Sequence, residues 1–415
     1  MKAGNRLFFR ERAGSEYKLY IFQDRGPTEV SALERKLNEV ATEKPYSPGL
    51  EGIVAGTTAI SEVNPERQKL TYRGYDIEDL AAQSTYEEIA YLLLKGDLPT
   101  RGELHSFTSE LVSEREVPRE IYEILRFAPR SADPMDTLRT CVSFLGLVDA
   151  DARDNSDEAN FRKAIRLIAK MATVVAANHR IKAGLDPIAP SRDLSHAANL
   201  LAMIKGGKPE EFAVRAMEVS LILYAEHTFN ASSFTGRVVA STLSDMHAAI
   251  TAALGALKGP LHGGANERVM EMLLEIGEPS GAEEWIRKAL AEKRRIMGFG
   301  HRVYRWGDSR VPTMKRLGRE LAERLGEKRW VEMAEIVEST MEKEKKLYPN
   351  VDFPSSYVYY MLGLTIELYT PLFAAARIAG WAAHVMEQHG DNRLIRPDSI
   401  YRGPKSRVYV PIDQR

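Results

Sequence analysis

Leu257-Lys258-Gly259-Pro260-Leu261-His262-Gly263-Gly264-Ala265-Asn266 joins two helical patterns. An apolar pattern runs into it from about Arg237 to Leu257, and Gly259 followed by Pro260 has the form of a helix stop. A second pattern, Glu267 to Ile276, leaves it. A histidine thus sits between two helices, beside two glycines that let a ligand or another backbone come close. Free N–H groups at the start of the second helix can hold partial negative charge. Taken alone, the stretch is better explained as a glycine-rich connection with an incidental histidine.

Working outward, helical periodicity dominates from Gly49 onward. Apolar residues recur at three- and four-residue spacings in Tyr86 to Lys95, Glu103 to Glu114, Phe161 to Arg180, Ala197 to Lys205 and Pro209 to Tyr224. Glu283 to Met297, Val311 to Leu325, Trp330 to Lys345 and Ser356 to Leu368 continue the series. Strand-like runs such as Leu70-Thr71-Tyr72 and Val408-Tyr409-Val410 are few, so the expected class is all-α. Residues 1–48 differ. Leu7 to Phe9 and Tyr17 to Phe22 suggest a β-hairpin, Ser31 opens a short helix to about Thr42, and Pro45 and Pro48 form a linker.

Composition narrows the function. The chain has 415 residues, 44% hydrophobic and 28% charged, with a net charge of −1. That balance offers no global attraction to nucleic acid or membrane. Cys141 is the only cysteine, which excludes an intrachain disulfide and a four-cysteine zinc site and fits a cytoplasmic location. The N-terminus has no apolar signal core, and the apolar run Leu362 to Met386 is interrupted by Glu367, Pro371 and Arg377. Gly298-Phe299-Gly300 lacks the third glycine of a dinucleotide loop, and Gly206-Gly207-Lys208 is followed by Pro209 instead of Ser or Thr. His105, His179, His196 and His389 lie in polar or helix-end contexts, and His247 is expected to pack inside its helix. His384 and His389 are not assigned a metal.

Two further stretches change the weight of the first: Gly298-Phe299-Gly300-His301-Arg302-Val303-Tyr304-Arg305 and Asn350-Val351-Asp352-Phe353-Pro354-Ser355. With these three in order and spacing, the sequence from about Gly49 to Arg415 resembles the citrate synthase family, which includes the 2-methylcitrate synthases. The resemblance implies a large helical domain formed by residues 49–264 and 361–415, and a smaller one at 265–360. The active site would lie in the cleft between them, closing over the substrate, with 1–48 as an appendage. It implies a Claisen condensation of acetyl-coenzyme A with oxaloacetate, followed by thioester hydrolysis.

On that resemblance Asp352 is the general base, His262 the donor to the acetyl carbonyl oxygen and His301 the donor to the oxaloacetate ketone. His227, Arg310, Arg377 and Arg396 bind the dicarboxylate, Arg396 reaching in from a neighbouring subunit. Arg294, Arg295, Ile296, Met297, Gly298 and Arg305 contact coenzyme A. No tightly bound cofactor is implied, and acetyl-coenzyme A is a co-substrate. A homodimer or an assembly of dimers follows, with no nucleic-acid or membrane partner. The residue types allow blander roles. Asp352 could simply start a helix, Arg377 could form a buried ion pair with Glu367, and Lys293-Arg294-Arg295 could be a solvated face. Two rivals remain open: 2-methylcitrate synthase using propionyl-coenzyme A, and a non-catalytic helical anion-binding protein.

Overall fold

The computed structural model describes residues 46–64, 66–300 and 307–415, and the backbone of 8–13 and 16–21. The chain divides into two units, Met1–Thr57 and Thr58–Arg415. In the first, β1 (Phe8–Ala13) pairs antiparallel with β2 (Glu16–Ile21), Phe8 opposite Ile21. This is the expected hairpin. The expected helix Ser31 to Thr42 lies outside the described residues.

The second unit opens with an antiparallel sheet of β3 (Ser61–Asn64), β4 (Lys69–Tyr72) and β5 (Tyr75–Asp76). Helices make the rest. They begin with α1 (Ile77–Gln83), α2 (Tyr86–Lys95), α3 (Arg101–Ser113), α4 (Arg119–Phe127), α5 (Pro134–Val148), α6 (Asp157–Lys182), α7 (His196–Lys205) and α8 (Glu211–Tyr224). They continue with α9 (Ala231–Ala240), α10 (Met246–Leu257), α11 (Ala265–Ile276), α12 (Ala282–Ala291), α13 (Val311–Leu325), α14 (Arg329–Lys345), α15 (Asp352–Met361) and α16 (Tyr369–Gly390). Among the described residues no helix is long and apolar enough to cross a membrane.

Three expected boundaries move. The pattern Arg237 to Leu257 is two helices, α9 and α10, broken where Leu243 takes a left-handed φ of 64° and the Asp245 side chain accepts from the Ala248 N–H. The helix expected over Glu283 to Met297 stops at Ala291, and Lys293 turns the chain at φ 59°. The helix expected from Ser356 begins earlier, at Asp352, and ends at Met361, before Gly363 at φ 72°. Val408 to Val410 forms no strand.

Helix α16 is the axis of the unit. It packs against α2, α6, α8, α9 and α10, and is buried almost all round. Its small residues, Ala374 to Ala376, Ala379, Gly380, Ala382 and Ala383, permit that. At Gly380 a Cβ would stand 2.3 Å from the Ala225 carbonyl oxygen, so only glycine lets the end of α8 press onto α16. Cys141 lies on α5 with no exposure, and burial pushes its thiol up to about 12.

Two buried carboxylates tie the starts of neighbouring helices together. Glu218 on α8 accepts from the Tyr86 N–H at the start of α2. Glu87 accepts from the His196 N–H at the start of α7, at 2.7 Å. Helix N-termini attract such charge. Burial, and then the neighbouring Glu87, nevertheless raise the Glu218 carboxyl to about 7. Because this lies above the unfolded value, the folded state holds an extra proton at mildly acid pH, and stability falls as pH rises from about 4.5 to 7 and beyond. Glu218→Gln keeps the acceptor and removes the charge. Urea unfolding is expected to show the variant gaining on the parent by on the order of 1–3 kcal/mol between pH 5 and pH 8.

Candidate active site

The last turn of α8 ends inside the protein with carbonyl groups that lack helical donors. The Tyr72 hydroxyl donates to the Ile222 oxygen at 3.1 Å, and guanidinium groups take the next two. Arg377, on α16, donates from Nε to the Tyr224 oxygen at 2.6 Å. Arg310, just before α13, donates from Nη1 to the Leu223 oxygen at 3.3 Å. The Tyr224 hydroxyl, one residue along, donates to Asp352 Oδ1 at 2.7 Å. One helix end thereby gathers two arginines and the carboxyl group, all expected from the sequence to act on substrate.

Both arginines are buried, Arg310 at 4% exposed and Arg377 at 1%. Arg310 forms a bidentate pair with Asp308, Nε to Oδ1 at 2.9 Å and Nη2 to Oδ2 at 2.7 Å. Arg377 has no ion pair with Glu367, which faces Lys182 at 3.7 Å instead. Among the described residues its buried Nη1 has no hydrogen-bond partner, although Glu226 lies near enough to be felt electrostatically. A buried guanidinium N–H without an acceptor is a costly arrangement that an anionic ligand would relieve.

Asp352 is the first residue of α15, as its bland assignment required, but its side chain does not cap the helix. Burial lifts its carboxyl to about 6 against the pull of the Tyr224 hydroxyl, Arg310 and Arg377. His262 lies in the turn before α11, and burial followed by the Arg377 charge lowers its imidazole to about 4. The ring is therefore neutral at pH 7. Its Nε2 receives the Ser232 backbone N–H at 3.3 Å and lies 2.8 Å from Ser232 Oγ. A backbone N–H can only donate, so Nε2 is the acceptor and the ring proton sits on Nδ1. The helix start that meets this ring is thus that of α9. Trp381 Nε1 donates to the same Ser232 Oγ at 3.1 Å.

The Phe373 ring joins these groups. Its centroid lies 4.6 Å from that of Tyr224, 6.0 Å from that of His262 and 4.8 Å from the Arg377 guanidinium. His227 is 6% exposed and follows the buried Glu226, which bonds His384 Nε2 at 2.9 Å and Ser61 Oγ at 2.9 Å. His384 is therefore a buried partner of a carboxylate, and among the described residues no cluster could hold a metal ion.

The second and third motifs also meet. Gly298 O accepts from the Asn350 N–H at 2.9 Å, and Gly300 N donates to Tyr348 O at 2.9 Å. Gly298 has φ 79°, and a Cβ there would stand 2.6 Å from Val269. His301 and Arg305 lie outside the described residues. Of the other positions expected to contact coenzyme A, Ile296 is buried and Met297 partly so. Arg295 is exposed, and Arg294 pairs with Glu275 at 3.1 Å and covers the Trp285 ring at 4.7 Å. Arg396 is exposed on the segment after α16, which Asn392 and Ile395 tie to Ser241.

Tyr224, Asp308, Ser232, Trp381 and Phe373 were not found by sequence reasoning. A signal existed for Asp308, a carboxylate two residues before an expected anion-binding arginine. The others connect only through the fold. Asp308 Oδ2 also accepts from the Val351 N–H at 3.1 Å, beside Asp352. Asp308→Ala would strip Arg310 of its carboxylate and free the start of α15. A loss of about 3–5 kcal/mol in urea-unfolding stability is expected, with Asp308→Asn recovering part of it.

Residues 49–398 match the family model "Citrate synthase, C-terminal domain". The chain is 49% identical over 368 residues to citrate synthase 2 of Bacillus subtilis, covering 88% of this chain and 98% of that protein. It is 47% identical over 380 residues to the 2-methylcitrate synthase of Mycobacterium tuberculosis, covering 91% and 96%. Among solved structures, Thermotoga maritima citrate synthase superposes with a TM-score of 0.81 at 41% identity, covering 89% and 99%. Thermoplasma acidophilum citrate synthase, solved as a ternary complex with carboxymethyl coenzyme A and oxaloacetate, superposes with a TM-score of 0.86 at 35% identity, covering 90% and 100%. The chain belongs to the citrate synthase family of acyl-transferring enzymes, and its fold is theirs.

Proposed function

We propose that this enzyme condenses acetyl-coenzyme A with oxaloacetate and hydrolyses the resulting thioester to citrate and coenzyme A. One observation carries the proposal: a carboxyl raised by burial to about 6 is bonded to Tyr224, which packs on Phe373, and a neutral imidazole lowered to about 4 packs on the same ring, with an Arg377 N–H that has no partner among the described residues beside them.

At pH 7 to 8 Asp352 is mostly ionised, and its raised value makes it a stronger base than an ordinary aspartate. It takes a proton from the acetyl methyl group. His262 Nδ1–H donates to the thioester oxygen as that oxygen gains charge. The new nucleophilic carbon attacks the oxaloacetate ketone, whose oxygen takes a proton with His301 as donor. Water then cleaves the thioester. Arg310, Arg377 and His227 hold the dicarboxylate. Arg396 completes the site from the other subunit of a homodimer. Residues 265–360 close against the rest and exclude water. Coenzyme A lies along 294–305, where Arg294 exchanges Glu275 for a phosphate. The mechanism needs no resident cofactor.

Relatives of both names, at 49% and 47% identity, keep propionyl-coenzyme A as the second candidate. One methylene is worth only about 1–3 kcal/mol of discrimination. Thiol release with oxaloacetate and each acyl-coenzyme A tests the choice. Faster turnover with the acetyl substrate is expected, and faster turnover with propionyl would reverse it. Asp352→Asn is expected to lower kcat at least a hundredfold while oxaloacetate still binds by calorimetry. Unchanged turnover in that variant would remove Asp352 from the mechanism.

A further inference from the structure

Tyr224 is fully buried, the last residue of α8, and its hydroxyl meets Asp352 Oδ1 at 2.7 Å. Its ring is fixed against Phe373, and its main-chain oxygen is fixed by Arg377. We propose that Tyr224 is a positioning residue that sets the basicity of Asp352 and determines which carboxylate oxygen is left for the substrate. The proposal rests on Asp352 being the base.

The geometry leaves the phenol one role toward Asp352. Burial, and then the Asp352 charge, push its own ionisation far up, so it stays a neutral donor throughout the working pH range. Asp352 Oδ1 is occupied by that donor. Among the described residues Oδ2 receives no hydrogen bond, and the Asp352 N–H goes to Asn350 Oδ1 at 3.1 Å. Oδ2 is thus the oxygen available to take a proton.

The other charges around Asp352 are fixed differently. Arg310 and Asp308 face it from the segment before α13, and Arg377 faces it from α16. The Tyr359 hydroxyl on its own helix is bonded to Ser220. Charged groups of α13 and α14, namely Arg319, Glu335 and Glu338, act on Tyr357 further along α15, with Lys315 held by Glu338. Glu267 of α11 is held by Thr370. Tyr224 is therefore the neutral donor opposing the burial that makes Asp352 a weaker acid. Its removal strengthens the base but leaves less of it ionised at low pH.

Tyr224→Phe tests this through the pH profile of kcat/KM. The acid limb is expected to move up by about one pH unit, with the deficit narrowing as pH rises. Replacing Tyr224 with 3-fluorotyrosine, a stronger donor of nearly the same shape, is expected to move the limb down. Carbon-13 titration of the Asp352 carboxyl in the unliganded protein, assigned with Asp352→Asn, should follow both shifts. An equal loss at every pH with an unmoved carboxyl titration would overturn the proposal and leave Tyr224 a packing residue. A shifted carboxyl titration in a protein whose turnover survives Asp352→Asn would instead overturn the base assignment and leave the Tyr224 effect standing. If Tyr224→Phe does not fold, the fluorotyrosine shift alone decides.

Discussion

The C-terminal end of α8 is the constraint on which the site depends. A helix that stops in the interior must find donors for its last carbonyls. Here the donors are the side chains of Tyr72, Arg310 and Arg377, all from distant segments of the chain. Cations at a helix C-terminus are favoured by its partial negative charge. The same bonds that satisfy the backbone hold the guanidinium planes in place. Two of the side chains that close the helix end, Arg310 and Arg377, are thus the ones proposed to hold the dicarboxylate, Arg377 with a different nitrogen from the one that bonds the backbone.

That helix end can sit where it does because α16 yields space to it. Gly380 lets the Ala225 carbonyl approach, and the adjacent Glu226 is secured by His384 and Ser61. Burial would raise the Glu226 carboxyl, but His384 and Arg377 hold it below the usual range, so it remains charged. Four residues along α16 from Arg377, Trp381 reaches Ser232 and through it His262. One buried helix therefore carries Arg377 and also supports the orientation of the imidazole.

Much of this was legible in the sequence, for specific reasons. Gly259, Pro260 and the motif glycines mark chain reversals by their own conformational preferences, and the helices of strong periodicity formed close to where the pattern put them. Arg377 stood out because a cation within an apolar run needs a partner, whereas Asp352 and His262 stood out only through the family resemblance of their motifs. What could not be read was partnership. Tyr224 and Asp352 are 128 residues apart, and no local pattern links a helix-terminal tyrosine to a helix-initial aspartate. The break between α9 and α10 was hidden because apolar spacing continues across it, and only the left-handed turn at Leu243 and the Asp245 cap divide it. Arg294 was legible as a cation but not as the partner of Glu275.

The lone cysteine has a practical corollary. Cys141 is sealed within α5, and its thiol resists ionisation, so the reactive thiolate is scarce at neutral pH. The folded chain is in effect silent to thiol reagents. A cysteine engineered on its surface would then be the only labelling position, and two such positions would carry a pair of spectroscopic probes without first removing a native residue. The molecule is in that sense already prepared for measuring, in solution, how far its parts move.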